Sequence, residues 1–219
     1  MSIVTPDGGL TTLGYLLCGI LMAAFLITAA VIYSKNSSRK KLSTKQLVFC
    51  AAAMALSFLT SYIKLMAMPY GGSVTLFSML FICLIGYWYG PGVGIMTGLA
   101  YGILQFLQEP YVLSLLQVCC DYVLAFAGLG LAGIFHKSKN GLVKGYILGI
   151  LVRGAFHTLG GYLYWMDYMP ENFPQALAAI YPIVYNYSYI LAEGILTVIV
   201  ISLPPVASAL AQVKKNALS

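Results

Sequence analysis

The side chains best suited to chemistry lie within one long apolar run, residues 144–168. Arg153 stands at its middle, and His157 follows one helical turn later. Because a charged group is expensive in hydrocarbon, we expect both to face other helices or a wet cavity and to mark a functional site. At about 3.6 residues per turn, one stripe of this helix would hold Arg153, His157, Gly161, Tyr164 and Tyr168, with Trp165 beside it.

Two further apolar runs each place one carboxylate at a similar depth. Asp121 has Gln117 one turn away and Tyr122 beside it, and Glu193 shares a helix face with Asn186. A carboxylate so far from water is paired, protonated or holding a cation. We therefore expect both carboxylates to belong to the same site as the arginine and the histidine.

The charges of these groups indicate a class of ligand. If His157 is neutral, Asp121, Glu193 and Arg153 sum to one negative charge. An acidic cavity with aromatic walls suits a monovalent organic cation, since each ring face attracts a cation by about 0.5 to 2 kcal/mol.

Other interpretations of the same residues stay open. Arg153 and one carboxylate could form an ion pair that only fixes helix register, and a lone histidine is often a hydrogen-bonded packing residue. A proton relay through Asp121, Glu193 and His157 would instead fit a self-sufficient secondary transporter.

The composition indicates where such a site must be held. The chain has 219 residues, of which 60% are hydrophobic and 8% charged, and its mean hydropathy is +0.87, which excludes a soluble domain and indicates an integral membrane protein. The formal charge of +6 is concentrated in clusters within 35–45, 137–144 and 214–215, each between or after apolar runs. Cytoplasmic loops carry their lysines and arginines in this way, so the charge indicates topology rather than nucleic-acid binding.

Seven apolar runs are candidate spans: 11–33, 46–66, 74–87, 93–107, 111–135, 145–164 and 180–203. If the basic clusters are inside, the N-terminus lies outside and the C-terminus inside. Seven successive crossings then keep all three basic clusters on the cytoplasmic side. The sequence therefore predicts an all-α integral membrane protein with seven spans.

Small residues at four-residue steps predict where helices approach each other closely. Ala51 and Ala55 form one such face, which could meet lipid, a sister helix or a separate protein. Two further series are Gly90, Gly94, Gly98 and Gly102, and Gly141, Gly145 and Gly149.

Motifs of catalysis are missing from the sequence. It contains no G-x-S-x-G, H-E-x-x-H or G-x-x-x-x-G-K-[ST] pattern, so we predict that the chain is not an enzyme and that any ATP hydrolysis needs another subunit. The five cysteines have no metal-ligand spacing with histidine, and we predict neither a metal nor a cofactor. A membrane-embedded enzyme or assembly factor without a transported ligand is a further, less favoured alternative.

The spans also carry a family resemblance. The chain resembles the thiamine-specific S components of ECF-type vitamin transporters over about 44–203, in the stretches PYVLSLLQVCCDYVLAFAGLGLAGIF, LVRGAFHTLGGYLYW and YPIVYNYSYILAE, and in PYGGSVTLFSM and YGPGVGIMTGLAYGILQ. This resemblance implies a six-helix bundle that binds thiamine near the outer surface with high affinity. It also implies a transmembrane coupling subunit and two cytoplasmic ATPase subunits as partners.

The resemblance assigns roles to individual residues. The carboxylate facing the thiamine cation falls on Asp121, and the basic residue one turn before the histidine falls on Arg153. Ala51 and Ala55 match the face that docks on the coupling subunit. The thiamine-binding residues are then expected to be Asp121, Tyr122, His157, Trp165, Tyr111, Tyr181, Asn186, Tyr164 and Gln117, with Arg153 and Glu193 balancing charge.

Two departures from the family pattern limit what it implies. The run 11–33 has no counterpart in a six-helix core. A second tryptophan that some members carry falls near Pro170, so the aromatic cage would be smaller or built from Tyr168 and Phe173.

The sequence therefore predicts three regions and one function. Residues 1–43 would form an extra N-terminal transmembrane helix and a basic cytoplasmic loop, 44–204 a six-helix substrate-binding domain, and 205–219 a cytoplasmic tail. We expect a multi-pass protein of a bacterial plasma membrane that captures thiamine for import as an ECF S component. A proton-coupled secondary transporter of a small organic cation is the alternative.

Overall fold

The computed structural model describes residues 11–13, 16, 20 and 42–219 of the chain. Most of the predicted first span, 11–33, and most of the predicted basic loop after it lie outside the described residues.

Residues 42–219 form a helical bundle with one short hairpin. We number its main helices α1 Thr44–Ser61, α2 Ser78–Tyr89, α3 Pro91–Gln108, α4 Leu115–Phe135, α5 Gly141–Gly160, α6 Tyr181–Ser202 and α7 Pro204–Leu218. Helix α5 continues through a π turn, Gly161–Trp165, and a 3₁₀ turn, Met166–Tyr168, and a 3₁₀ helix, Gln175–Ile180, precedes α6. A second π turn, Cys119–Leu124, lies inside α4.

Local sequence signals explain several helix starts. Ser43 and Gln46 form a capping box at the start of α1, in which each side chain bonds the other residue's backbone N–H. Pro91 opens α3 directly after Gly90, whose φ of +91° suits glycine. Ser114 caps α4 by accepting a hydrogen bond from Gln117 N at 3.0 Å.

The hairpin corrects the predicted all-α class. Strands β1 Lys64–Ala67 and β2 Ser73–Thr75 pair antiparallel where the sequence predicts the ends of two spans, 46–66 and 74–87. The connecting turn contains Pro69, and Gly71 and Gly72 have φ values of +90° and +80° that few other residues adopt. The chain therefore reverses there, and α1 ends at Ser61 rather than running to residue 66.

The glycine steps hold α3, α4 and α5 together, as the sequence predicts. A Cβ added at Gly94, Gly98 or Gly102 would meet the backbone of α4, and one added at Gly145 or Gly149 would meet α4 from the other side. Helix α4 is thus packed tightly between α3 and α5, which fixes the depth of Asp121. Gly90 is the exception, because it serves the α2–α3 turn and has open space around it.

Four described helical segments are long and apolar enough to cross a membrane: Thr44–Ser61, Leu115–Phe135, Gly141–Tyr168 and Gln175–Ser202. Ser78–Tyr89 is a shorter apolar helix. The protein is therefore a multi-pass membrane protein, while the count of seven spans and their orientation stay predictions. The segment predicted as a C-terminal tail is helix α7, which packs against α6 and α2.

Candidate functional site

A cavity of about 490 Å³ lies at the end of the bundle where the hairpin turn, the α3–α4 connection and the end of α5 meet. Its volume is in the range of small-molecule sites. Nine residues predicted for the site line it: Tyr111, Gln117, Asp121, Tyr122, Arg153, His157, Trp165, Tyr181 and Asn186.

Asp121 is held on the cavity wall by two side chains. Its Oδ2 accepts a hydrogen bond from Gln117 Nε2 at 2.7 Å, and its Oδ1 lies 3.2 Å from His157 Nδ1. The side chain is 14% exposed. Since a carboxylate offers about four lone-pair positions, two partners leave capacity for a ligand.

The hydrogen bonds of His157 define its tautomer. Arg153 Nε can only donate, so His157 Nε2, 3.3 Å away, accepts. The ring hydrogen is then on Nδ1, where it is donated to Asp121. His157 is therefore a neutral bridge between a cation and an anion.

Arg153 contacts an aromatic ring as well as His157. Its guanidinium carbon lies 4.5 Å from the centre of the Phe126 ring, a cation–π contact at the floor of the cavity. Among residues 42–219, no ion pair joins Arg153 to Asp121 or Glu193. The alternative of a direct, purely structural ion pair is therefore wrong.

Gln117 connects the carboxylate to the loop above it. It is 1% exposed, its Nε2 donates to Asp121, and its Oε1 accepts from Leu113 N at 3.1 Å. Both ends of the amide are thus engaged with protein, and Gln117 positions Asp121 as well as lining the cavity.

Aromatic rings form the upper wall. The Tyr111 and Trp165 rings are 4.8 Å apart and 33° from parallel, and Tyr168 lies 5.0 Å from Trp165. The Tyr111 and Tyr168 hydroxyls are 3.1 Å apart, and this hydrogen bond raises the pKa of Tyr111 to about 12, so its phenol keeps its proton at neutral pH. Phe173 instead packs on Tyr181, with ring centres 5.0 Å apart.

Two other predicted ligand contacts already have internal partners. Tyr122 OH donates to Glu109 O at 2.7 Å and accepts from Tyr111 N at 3.2 Å, which orders the loop that carries Tyr111. Asn186 Nδ2 donates to Pro182 O at 2.9 Å and to His157 O at 3.3 Å, and its Oδ1 accepts from Tyr189 OH at 3.1 Å. These residues shape the cavity through the backbone they hold.

The π turn at the end of α5 changes which residues face the cavity. With a wider turn over Gly161–Trp165, the stripe runs in four-residue steps through Arg153, His157, Gly161 and Trp165. Tyr164, which an unbroken α-helix would place on this stripe, does not line the cavity. Trp165 occupies the place on the cavity wall that an unbroken α-helix would give to Tyr164.

Sequence reasoning missed several residues that shape the site. A Cβ on Gly160 would lie 2.8 Å from Asp121 Oδ1, so only glycine lets the carboxylate lie against α5. Tyr185 and Tyr189 also line the cavity, and their four-residue spacing from Tyr181 was the available signal. Phe126 under Arg153 had no signal beyond its distance along α4.

Comparison with known proteins decides the family. A family model described as thiamine transporter protein (Thia_YuaJ) matches residues 47–212. The chain belongs to this thiamine transporter family. The thiamine transporter ThiT of Bacillus subtilis (strain 168) is 30% identical over 175 residues, which cover 71% of this chain and 85% of that protein.

A solved structure supports the fold. ThiT from Listeria monocytogenes aligns with a TM-score of 0.58 at 24% identity, covering 73% of this chain and 94% of that one. A chain from the S component of a bacterial ECF transporter aligns with a TM-score of 0.49 at 23% identity, covering 75% and 95%. The matching family model describes transporters.

Glu193 does not belong to the cavity of this family member. It is 1% exposed, and its carboxylate accepts hydrogen bonds from Thr75 and Met79 behind the hairpin. Asp121 and Arg153 therefore balance each other on the cavity wall, and the third charged residue there, Glu109, is paired with Lys64 at the rim. The predicted surplus of one negative charge in the cavity is therefore wrong, because with Glu193 outside the cavity the charges of Asp121 and Arg153 sum to zero.

The predicted docking residues Ala51 and Ala55 do not line the cavity. Ala51 and Ala55 are exposed on α1, together with Leu47, Val48 and Leu59. This apolar face is open to lipid or to another helix.

Proposed function

We propose that the protein captures thiamine at the outer face of a bacterial plasma membrane, with high affinity, as the S component of an ECF transporter. The observation that carries this proposal is the Asp121 carboxylate on the wall of a ring-lined cavity, in a chain of the thiamine transporter family. The positive-inside distribution of lysine and arginine supports an outward-facing cavity.

The chemistry of thiamine matches the walls of the cavity. Its thiazolium ring carries a permanent positive charge, for which Asp121 is the nearest compensating anion. The planar rings of the ligand can stack on Trp165, Tyr111 and Tyr181, and cation–π attraction to these rings adds to the charge. The second lone pair of Asn186 Oδ1 is placed to accept a hydrogen bond from the pyrimidine amine or the hydroxyethyl arm. His157, whose two ring nitrogens are engaged with Arg153 and Asp121, would orient the Asp121 carboxylate toward the ligand.

Energy for import would come from other chains. The sequence has no phosphate-binding motif of an ATPase, so we propose a coupling subunit and two cytoplasmic ATPase subunits as partners. The exposed Ala51 and Ala55 on α1 would give the coupling subunit a close approach to the helix backbone.

Tryptophan fluorescence offers the first test, because the two tryptophans lie in different environments. Trp165 lines the cavity, whereas Trp88 is packed against Phe49 and Tyr89 in the core. In a Trp88→Phe variant, thiamine is expected to quench the remaining Trp165 saturably at micromolar concentration or below. The matched Trp165→Phe variant should show no such change, and the absence of a saturable signal in Trp88→Phe would refute the proposal.

Uptake by vesicles separates the two transport mechanisms. Of the proposed relay residues Asp121, Glu193 and His157, the pair His157 and Asp121 is in hydrogen-bond contact at the cavity, as proton transfer would require. We expect vesicles containing only this protein to bind thiamine without accumulating it. Accumulation that an uncoupler abolishes would favour the proton-coupled secondary transporter instead.

A further inference from the structure

One stripe of α6 holds the hairpin turn over the cavity. Tyr185 OH accepts a hydrogen bond from Tyr70 N at 3.0 Å and donates to Gly71 O at 2.9 Å. One turn further, the Tyr189 ring lies against Gly72, where an added Cβ would come within 2.6 Å of it.

Glu193 continues this stripe one more turn away from the cavity. Its Oε2 accepts from Thr75 N at 2.8 Å and from Thr75 Oγ1 at 2.6 Å, and its Oε1 accepts from Met79 N at 3.2 Å. The carboxylate thus caps α2, whose own N-cap residue, Phe77, makes no side-chain cap bond. It joins the end of β2 and the start of α2 to α6.

The other side of the hairpin offers little support. All four residues of β1 are exposed, and the pairing with β2 has an irregularity between Lys64 and Met66. A two-stranded hairpin is marginally stable by itself. The position of residues 69–72 therefore depends on α6, which holds the turn through Tyr185 and Tyr189 and the end of β2 through Glu193.

We propose that Glu193 is a positioning residue that keeps the hairpin turn seated over the cavity and thereby sets how slowly bound thiamine leaves. The ligand part of this inference rests on the proposed function. Tyr70 and Gly71 line the cavity, while Thr75 and Glu193 do not, so Glu193 acts on the ligand only through the hairpin. A carboxylate facing three donors cannot be replaced by an amide without placing its NH₂ group against one of them.

The test compares Glu193→Gln with two other variants in the full chain. Glu193→Gln is expected to raise the thiamine dissociation rate, followed by Trp165 fluorescence, by roughly tenfold. It should also speed hydrogen exchange of the amides in 69–79 while leaving α3, α4 and α5 unchanged. Thr75→Val removes only the hydroxyl donor and should give the same pattern with a smaller change, which covers the case of a poorly folded Glu193→Gln.

Tyr187→Phe is the matched control on α6. Its hydroxyl donates to Leu151 O on α5 and does not line the cavity, so its loss should change neither the dissociation rate nor hairpin exchange. Faster exchange throughout the bundle, or faster hairpin exchange with an unchanged dissociation rate, would overturn the proposal. If the wild type bound no thiamine, the proposed function would fail. An unchanged hydrogen-exchange rate of the amides in 69–79 of Glu193→Gln would separately refute the role of Glu193 in seating the hairpin.

Discussion

Asp121 and Glu193 are each the single acidic residue of an apolar helix, and their residue type and depth alone do not distinguish them. In the structure, Asp121 bonds two side chains and faces a cavity, whereas Glu193 bonds two backbone N–H groups and a hydroxyl and is 1% exposed. The partners of Asp121 leave part of its hydrogen-bonding capacity open. The partners of Glu193 are Thr75 and Met79, at the end of β2 and the start of α2, whose own N-cap residue makes no side-chain cap bond. A buried carboxylate thus marks a ligand site only when its partners do not come from the backbone of another element.

The largest expected effect tests the structural side of this comparison. Glu193→Ala leaves three buried donors without an acceptor and should reduce the free energy of unfolding by about 3 to 5 kcal/mol. For a protein of this length, we expect the melting temperature in detergent to fall by roughly 10 °C. Asp121→Ala should lower it far less, because Asp121 borders the cavity, and equal losses in the two variants would contradict the distinction.

Asp121→Asn tests the ligand side. The amide keeps the size of the side chain but loses the negative charge, so thiamine affinity should fall by about 3 kcal/mol, or roughly a hundredfold in Kd. Isothermal titration with purified protein measures this change. Glu109→Gln is the control at the rim, where the carboxylate is 65% exposed, and it should change Kd only slightly. Unchanged affinity in Asp121→Asn would assign that carboxylate to structure.

A smaller effect should follow from moving Asp121 without removing it. In Gly160→Ala, the new methyl group would lie 2.8 Å from Asp121 Oδ1, so the carboxylate must shift from its bond with His157. We expect thiamine affinity to fall by about 1 to 2 kcal/mol. Gly92→Ala is the matched control, since nothing lies within 4 Å of a Cβ there. The same titration with both variants decides the point, and an equal Kd for the two would show that the position of Asp121 is unimportant.

The smallest effect concerns the aromatic wall. Tyr168→Phe removes the hydrogen bond to Tyr111 but keeps the ring beside Trp165, so affinity should fall by about 0.5 to 1 kcal/mol. The pKa of Tyr111 should fall from about 12 toward its ordinary value, because the bond that favours its protonated form is gone. A loss in affinity as large as that of Asp121→Asn would mean that the rings, not the carboxylate, dominate binding.

Much of the helical framework could be predicted from the sequence, because long apolar runs and glycine steps depend on local composition. The predicted spans 145–164 and 180–203 match α5 and α6 closely. The hairpin was missed since Lys64–Ala67 is apolar enough to read as the end of a helix, and its pairing with Ser73–Thr75 is a contact between separate segments.

Within the site, residues on regular helix were easier to predict than those near irregular turns. His157 and Asp121 were found from their depth and type. A uniform helical period predicts Tyr164 on the cavity stripe, but the π turn Gly161–Trp165 does not keep that period. The partners of Glu193 could not be predicted, since they come from backbone atoms of α2 and β2.

The π turns in α4 and α5 have a consequence for how the cavity can vary. Each of these turns accommodates an extra residue, and one residue corresponds to about 100° of rotation in an α-helix. Deleting Cys119 or Cys120 would restore a regular helix and rotate the preceding segment, with Gln117, by about 100° relative to the glycine-packed half of α4, which would keep its alignment. The two halves of each helix can therefore be tuned independently, one for its neighbours in the bundle and the other for the molecule it holds.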